Sequence, residues 1–278
     1  MKKYLNFLVL VYFFSCSNHS PQRQEEVYQE TDKEVVKAIN SGTFASLQEA
    51  TRNKNLEGAS ELHNYLASKC SSQLQKVNEQ MAITLIKKGA KPIEQSFQDY
   101  KGPLKTTLSR GCASLLSVYL DNMSHQDIAQ ASLDLNATDF VTFVEQITDK
   151  EPSTQELTRI EQSPFTVDLT IQKNSELCMQ NQRNCQARDH LSTELKEMRE
   201  AVAKFAYFKA CSTQIELINT IQLMREQVDF ARVTGGASPE IYDGHAMYAQ
   251  ELRGWYNYYQ DLFFKTTGEA PDLNQCYL

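Results

Sequence analysis

The stretch Leu85–Asp121 constrains the fold most, because the spacing of its glycines and proline indicates short helices joined by tight turns. Pro103 suits the first turn of a helix, where a missing N–H breaks no hydrogen bond. Gly89 and Gly111 stand where helices end with a positive φ, which glycine adopts without a Cβ clash. Leu104 begins an apolar series that is buried only if a neighbouring unit stacks on it. The pattern therefore predicts several similar helical units.

Two segments of this stretch resemble an ankyrin repeat. Residues 85–92, LIKKGAKP, are similar to the LLxxGADP end of one repeat, and residues 102–107, GPLKTT, fall where the next repeat carries T-P-L-H-x-A. Lys105 replaces the usual histidine, and Thr107 replaces the usual alanine. The resemblance implies an all-α chain with a short, degenerate ankyrin-like helical solenoid over residues 31–150. The alternative is a generic helical bundle that happens to contain these short motifs.

Weaker units flank the well-matched one. Residues 35–42, VVKAINSG, resemble the helix pair of an opening repeat, and residues 57–90 form an oversized unit with apolar residues three to four positions apart. The apolar residues between 128 and 147 fit a last, degenerate pair. The resemblance thus implies roughly three to four ankyrin-like units.

Ankyrin-type proteins bind other proteins through hairpin fingers and the inner helices of a concave face, so the resemblance implies a partner-binding surface here. The finger corresponds to residues 93–101. The implied contact residues are two aromatic anchors, two charged rim residues and two cations on or near the adjoining helix: Phe97 and Tyr100, Glu94 and Asp99, Lys105 and Arg110. The implied function is a protein-binding module, in its sharpest form an inhibitor or antidote that covers a secreted enzyme.

The N-terminus indicates export. Residues 1–15 are predicted to be a signal peptide, because two lysines precede an apolar run that is too short to span a bilayer. Cys16 follows this run and resembles the lipidated cysteine of bacterial lipoproteins, which implies an anchor on the periplasmic face of the outer membrane. Ordinary cleavage next to Cys16, giving a soluble periplasmic or secreted protein, is the alternative. Residues 16–30 are polar and are predicted to be a disordered tether.

The seven cysteines suit an oxidising compartment. If Cys16 carries a lipid, six remain, and an even number in an exported chain favours disulfides over buried free thiols. Sequence does not choose among the possible pairings; those considered first are Cys70 with Cys112, Cys178 with Cys185, and Cys211 with Cys276. The chain has no CxxC motif and its histidines are scattered, so we expect neither a metal nor another cofactor.

Residues 151–170 are polar and contain prolines, and they are predicted to be a linker. Beyond them, over residues 171–278, apolar residues recur at heptad-like spacing in three series, which predicts an antiparallel helical bundle or hairpin. The first two series are out of phase, so either one long helix changes face near Cys211 or two helices meet there. This region favours the alternative function, a structural or oligomeric envelope protein.

Charge and motif content disfavour other functions. The formal charge is −7, and it is −9 without Lys2 and Lys3 of the predicted signal peptide, so polyanionic nucleic acid would be repelled. The sequence contains no GxSxG, Walker or HExxH motif, and the pair Asp189-His190 has no nucleophile placed beside it. We therefore expect no enzyme activity and no small-molecule substrate. The expected partner is another periplasmic or envelope protein.

Overall fold

The computed structural model describes residues 33–70, 75–234 and 239–277. The predicted signal peptide 1–15, the lipidation residue Cys16 and the tether 16–30 lie outside these ranges. The described residues form helices and one isolated β-bridge, without a β-strand, which confirms the all-α class. In chain order the helices are α1 (33–40), α2 (Phe44–Thr51), α3 (Glu61–Ser68), α4 (Gln75–Lys87), α5 (Pro103–Arg110), α6 (Ala113–Asn122), α7 (His125–Leu133), α8 (Thr138–Thr148), α9 (Thr154–Cys178), α10 (Gln182–Thr234), α11 (Pro239–Thr267) and a final 3-10 turn (Leu273–Tyr277).

The first eight helices share one apolar cluster, in which α3 pairs with α4 and α5 pairs with α6. Helix α5 packs on both α3 and α7, and helix α4 packs on both α2 and α6. Each pair therefore covers the apolar side of the next, which is the arrangement of a helical solenoid. The stack spans the region predicted to be solenoidal, whereas its membership of the ankyrin family stays a prediction. None of the described helices combines the length and the apolar character that a membrane crossing requires.

Helix α5 begins and ends where the sequence predicts. Pro103 occupies the first turn of α5, and Gly111 ends that helix with a φ of +68°. A Cβ atom on residue 111 would lie 2.7 Å from the backbone nitrogen of Ser163 in α9. Glycine is therefore required here twice, by the backbone conformation and by the close approach of α9.

One hydrophobic core runs through both halves of the chain. Leu104 and Leu116 of the stack belong to the same buried cluster as Val167 of α9, Phe205 of α10 and Tyr259 of α11. Helix α9 joins the halves because it packs on α5, α6 and α7 on one side and on α10 on the other. The C-terminal helices are therefore packed against the stack instead of being tethered to it.

The prediction of a linker over residues 151–170 is wrong, because α9 occupies most of this range. The helix begins with a capping box, in which the side chains of Ser153 and Glu156 each accept a hydrogen bond from the other residue's backbone N–H. Pro164 lies inside the helix, where it removes one backbone hydrogen bond. Burial of the apolar face outweighs this loss, since fully buried residues lie on both sides of the proline, namely Ile160 and Val167.

Helix α10 is continuous over 53 residues, a length of roughly 80 Å at 1.5 Å per residue. Of the two alternatives for the region near Cys211, the structure therefore shows the single long helix. Helix α11 runs antiparallel to it, because the ring of Phe205 contacts Tyr259 whereas Glu216, further along α10, bonds Tyr248. This arrangement is the predicted antiparallel hairpin.

The six described cysteines form three disulfides. The pairs are Cys70–Cys112, Cys178–Cys185 and Cys211–Cys276, with Cα–Cα distances of 6.3, 4.6 and 5.2 Å. The first joins the end of α3 to the turn between α5 and α6, the second closes the turn between α9 and α10, and the third holds the C-terminal turn on α10. These are the three pairs considered first from the sequence.

Candidate protein-binding groove

Residues 93–101, between α4 and α5, form the predicted finger. Phe97 and Tyr100 close its tip, because the backbone N–H of each donates to the carbonyl of the other at 2.9 Å. The amide of Asn64 in α3 donates to one carbonyl on each side of the finger, at 2.7 Å and 2.9 Å. A buried side chain of the stack therefore holds the two arms of the finger together.

Glu94, predicted to lie on the rim of the finger, instead caps helix α5. Its carboxylate accepts hydrogen bonds from the backbone N–H groups of Leu104 and Lys105, at 2.9 and 3.3 Å. A Cβ atom on residue 102 would lie 1.9 Å from this carboxylate, so Gly102 leaves the space that the cap occupies. Glu94 therefore positions the finger against α5 and does not present its charge to a partner.

The surroundings of Glu94 change the pKa of its carboxyl group. Burial raises the pKa of Glu94 to about 7, and the two N–H bonds from α5 offset part of that effect. The negative charges of Asp127 and Asp134 add to the rise. Asp127 also accepts a hydrogen bond from the backbone N–H of Glu94 at 3.1 Å. The base of the finger thus contains a carboxyl group that gains or loses its proton near neutral pH.

The aromatic residues of the finger pack over α3. The centre of the Tyr100 ring lies 4.6 Å from the centre of the Tyr65 ring, and the centre of the Phe97 ring lies 6.3 Å from it. Tyr100 is half-buried, whereas Phe97 and Asp99 are exposed. The finger therefore offers an aromatic edge and a carboxylate on a short, well-supported turn.

A groove of about 610 Å³ lies between the finger, α5, α8 and the start of α9. It contains three of the six residues predicted to bind a partner, namely Asp99, Tyr100 and Arg110. Phe97 and Lys105 do not line it, although Phe97 lies beside it on the finger. The groove also contains charged and aromatic residues outside the predicted set, chiefly Lys101, Asp139, Phe143, Glu156 and Arg159.

Arg159 is the most constrained of the side chains missed from the sequence. Its Nε donates to the carbonyl of Ser109 at 3.2 Å, and its guanidinium carbon lies 3.9 Å from the centre of the Phe143 ring. Burial lowers the pKa of Arg159, and the positive charge of Arg110 lowers it further, whereas Asp139 acts in the opposite direction. The S-x-x-E capping signal that starts at Ser153 could have revealed this helix, and with it Arg159.

Most of the other charged groups in the groove are already paired. Lys101 forms a 3.4 Å ion pair with Asp139. Glu156 accepts two hydrogen bonds from Ser153, which lower the pKa of its carboxyl group. The side chain of Arg110, by contrast, makes no hydrogen bond or ion pair with the residues that the structure describes.

A second surface lies at the far end of the α10–α11 pair. Residues 212–233 of α10 and 243–258 of α11, here called the distal hairpin, carry large apolar side chains that face solvent. These are Ile215, Ile218, Leu223, Phe230, Val233, Met247 and Tyr248. Scattered single apolar residues are common on protein surfaces, and others are exposed elsewhere on this chain, but seven on one hairpin are typical of a contact surface.

Two histidines contact backbone carbonyls within the fold. His63 is fully buried, lies 3.0 Å from the carbonyl of Ala90, and burial lowers its pKa to about 4, so it is neutral at pH 7. His190 lies 2.8 Å from the carbonyl of Leu135, and Asp189 pairs with Arg188. Among the residues that the structure covers, no group of three or more His, Cys, Asp or Glu side chains is arranged to hold a metal ion.

Comparison of the chain with protein-family models, with curated proteins and with solved structures found no match. The functional argument therefore depends on the groove, the finger and the distal hairpin themselves.

Proposed function

We propose that this protein binds another protein of the bacterial envelope through the finger and the adjoining groove. The observation that carries the proposal is the fixed placement of Tyr100, Phe143 and Arg159 along one open groove. Aromatic and arginine side chains dominate the binding energy of protein interfaces. The finger and Arg159 are both held by contacts within the chain, so little conformational entropy would be lost when a partner binds.

In this proposal the protein is exported and anchored by a lipid on Cys16 to the periplasmic face of the outer membrane. The three disulfides support an oxidising compartment. The resemblance to ankyrin repeats supports a protein as the ligand, and the sharpest form of the function is inhibition of a secreted enzyme. The substitution Cys16→Ala is expected to release the protein from membranes on fractionation, and continued membrane attachment would argue against the lipid anchor.

The binding proposal is tested by capture from envelope extract with residues 17–278, followed by mass spectrometry and by a direct binding assay with the purified partner. The double substitution Phe97→Ala and Tyr100→Ala removes the aromatic edge of the finger and is expected to weaken binding at least about a hundredfold. Phe264→Ala, on an exposed aromatic residue of α11, is the matched control and is expected to leave binding unchanged. Equal binding by the double variant and the control would refute the proposed surface.

The second candidate function is self-association through the distal hairpin, as in a structural envelope protein. The observation that favours it is the solvent-facing apolar set on this hairpin, in which Val233 is 86% exposed and Met247 is 74% exposed. Light scattering on residues 17–278 is expected to give more than one chain mass if the hairpin assembles. A single chain mass at the highest soluble concentration would exclude this role.

A further inference from the structure

Two arginines from different helices face the same groove. Arg110 is the last residue of α5, and Arg159 lies in the second turn of α9. They are close enough for the charge of Arg110 to act on the guanidinium of Arg159. Two like charges at one site repel each other, and an anion bound between them would relieve that repulsion. The chain as a whole carries a charge of −7, so such a site is not the result of a generally basic surface.

The orientation of Arg159 determines which of its atoms are available. Its Nε is used by the carbonyl of Ser109, and one face of its guanidinium covers the ring of Phe143. Its two Nη atoms donate to no acceptor in the described part of the chain. A guanidinium edge that is held in this way matches the two oxygens of a carboxylate.

The acidic residues of the groove compensate the charge of this pair only in part, since Asp139 acts on Arg159. Asp139 is bound to Lys101, and Glu156 is bound to Ser153 at the start of α9. Asp99 is exposed at the tip of the finger and would repel a strongly acidic ligand. The charges of the groove therefore suit a ligand with one carboxylate and uncharged neighbours better than a polyanion.

We propose that the groove binds a single peptide carboxylate of the partner, with Arg110 and Arg159 donating to its two oxygens and Tyr100 contacting an adjacent apolar side chain. The inference rests on the proposed function, because the same groove is used. The carboxylate belongs either to an Asp or Glu side chain or to the C-terminus of the partner, since both present the same two oxygens.

The test uses fluorescence anisotropy with residues 17–278 and four fluorescein-labelled decapeptides of glycine and serine. Two end in an amide and carry a central Leu-Glu-Leu or Leu-Gln-Leu. The other two carry the central Leu-Gln-Leu and end in leucine, with either a free carboxylate or an amide. We expect at least one carboxylate peptide to bind about tenfold more tightly than its amide counterpart, with a preference that weakens as salt rises. The preferred peptide identifies the source of the carboxylate.

Substitutions then assign the preference to the arginine pair. Arg110→Gln is expected to remove the tenfold preference without changing the unfolding midpoint, because Arg110 is exposed. Arg159→Lys keeps the positive charge but loses the planar guanidinium with its paired N–H donors, and is expected to retain part of the preference for carboxylate. Arg253→Gln on the exposed face of α11 is the matched control and is expected to keep all of it.

Two results would overturn the inference: no carboxylate preference with any peptide, or an unchanged preference in Arg110→Gln. The failure of the broader proposal looks different. If partner binding is lost in the Phe97 and Tyr100 double variant but unaffected in Arg110→Gln, the finger is the binding surface and only the carboxylate site is wrong. If the double variant also binds normally, the proposed function itself is wrong.

Discussion

The helix-pair stack, α1 to α8, and the distal hairpin bury their apolar residues in different ways. In the stack Leu104 and Leu115 are fully buried, because each helix pair is covered by the next. In the distal hairpin Leu223 remains 49% exposed and Phe230 64% exposed, since α10 and α11 mainly cover each other. The stack thus supplies a rigid support for the finger and groove, whereas the hairpin leaves apolar surface that another molecule could cover.

The largest effect is expected from Gly111→Ala in the stack. The new Cβ would occupy a positive-φ position and would lie 2.7 Å from the backbone of Ser163, so either α5 or α9 must shift. We expect the free energy of unfolding to fall by about 3 to 5 kcal/mol, which combines backbone strain with overpacking. Urea unfolding followed by circular dichroism measures it. A loss below about 1 kcal/mol would show that α9 does not approach the α5–α6 turn closely.

The same change, leucine to alanine, is expected to lower the free energy of unfolding by different amounts in the two regions. Leu115→Ala leaves a cavity in the stack and is expected to cost about 3 kcal/mol, whereas Leu223→Ala removes a half-exposed side chain and is expected to cost less than about 1 kcal/mol. Both free energies are measured by urea unfolding of residues 17–278. Equal costs would mean that the exposed face of the hairpin is covered in solution, which would favour self-association.

A pH dependence is expected at the base of the finger. The pKa of Glu94 is raised to about 7 in the folded protein, so its folded form binds a proton more tightly than the unfolded chain. Its contribution to stability is therefore full below about pH 4.5 and is lost as the pH rises to about 7. We expect the stability difference between wild type and Glu94→Gln to change over this range by about 1 to 2 kcal/mol, a value reduced because the carboxyl group is only half-buried.

The comparison with Glu94→Gln is needed because the titration of His63 changes the stability of the fold with pH in the opposite direction. Its pKa is lowered to about 4, so its contribution is lost as the pH falls from about 6.5 towards 4. The two effects overlap in the wild-type profile, but that of His63 cancels in the difference between wild type and variant. A difference that is flat from pH 4.5 to 7 would contradict the proposed environment of Glu94.

The smallest effect is expected from Gly254→Ala in the distal hairpin. A Cβ atom at this position meets nothing within 4 Å, and the residue lies inside α11. Alanine is the better helix former, so we expect a gain of about 0.5 to 1 kcal/mol. The opposite signs of Gly111→Ala and Gly254→Ala would show that the first loss comes from the local structure of the stack and not from the substitution as such. Destabilisation by Gly254→Ala would indicate that this face of α11 contacts another chain.

The sequence predicts best those features whose signals are local. The bounds of α5 follow from Pro103 and Gly111, which act within one helical turn. The disulfide pairing does not follow in this way, because a partner such as Cys211 lies in the middle of α10 and meets Cys276 only through the fold. Helix α9 was missed because Pro164 and the polar residues before it are typical of a linker, while the burial that outweighs them comes from distant helices. The sequence also does not distinguish one long α10 from two helices, because the packing of α10 on α7 and α8 is not visible in the local spacing of apolar residues.

The candidate site was predicted in part. The finger residues Asp99 and Tyr100 and the helix-end residue Arg110 line the groove, and their contact with a partner stays a prediction. Glu94 was placed on the rim because its partners, the N–H groups at the start of α5, lie ten or more residues away along the chain. Arg159 was missed together with α9.

The disulfide Cys70–Cys112 has a consequence for timing. Both cysteines line the groove, and their bond joins α3, which supports the finger, to the turn that follows Arg110. Such a bond does not persist in a reducing cytosol. In a reducing compartment the chain would therefore lack the covalent closure of its own groove, and under the proposed export the surface would be complete only after the chain had left the cytosol.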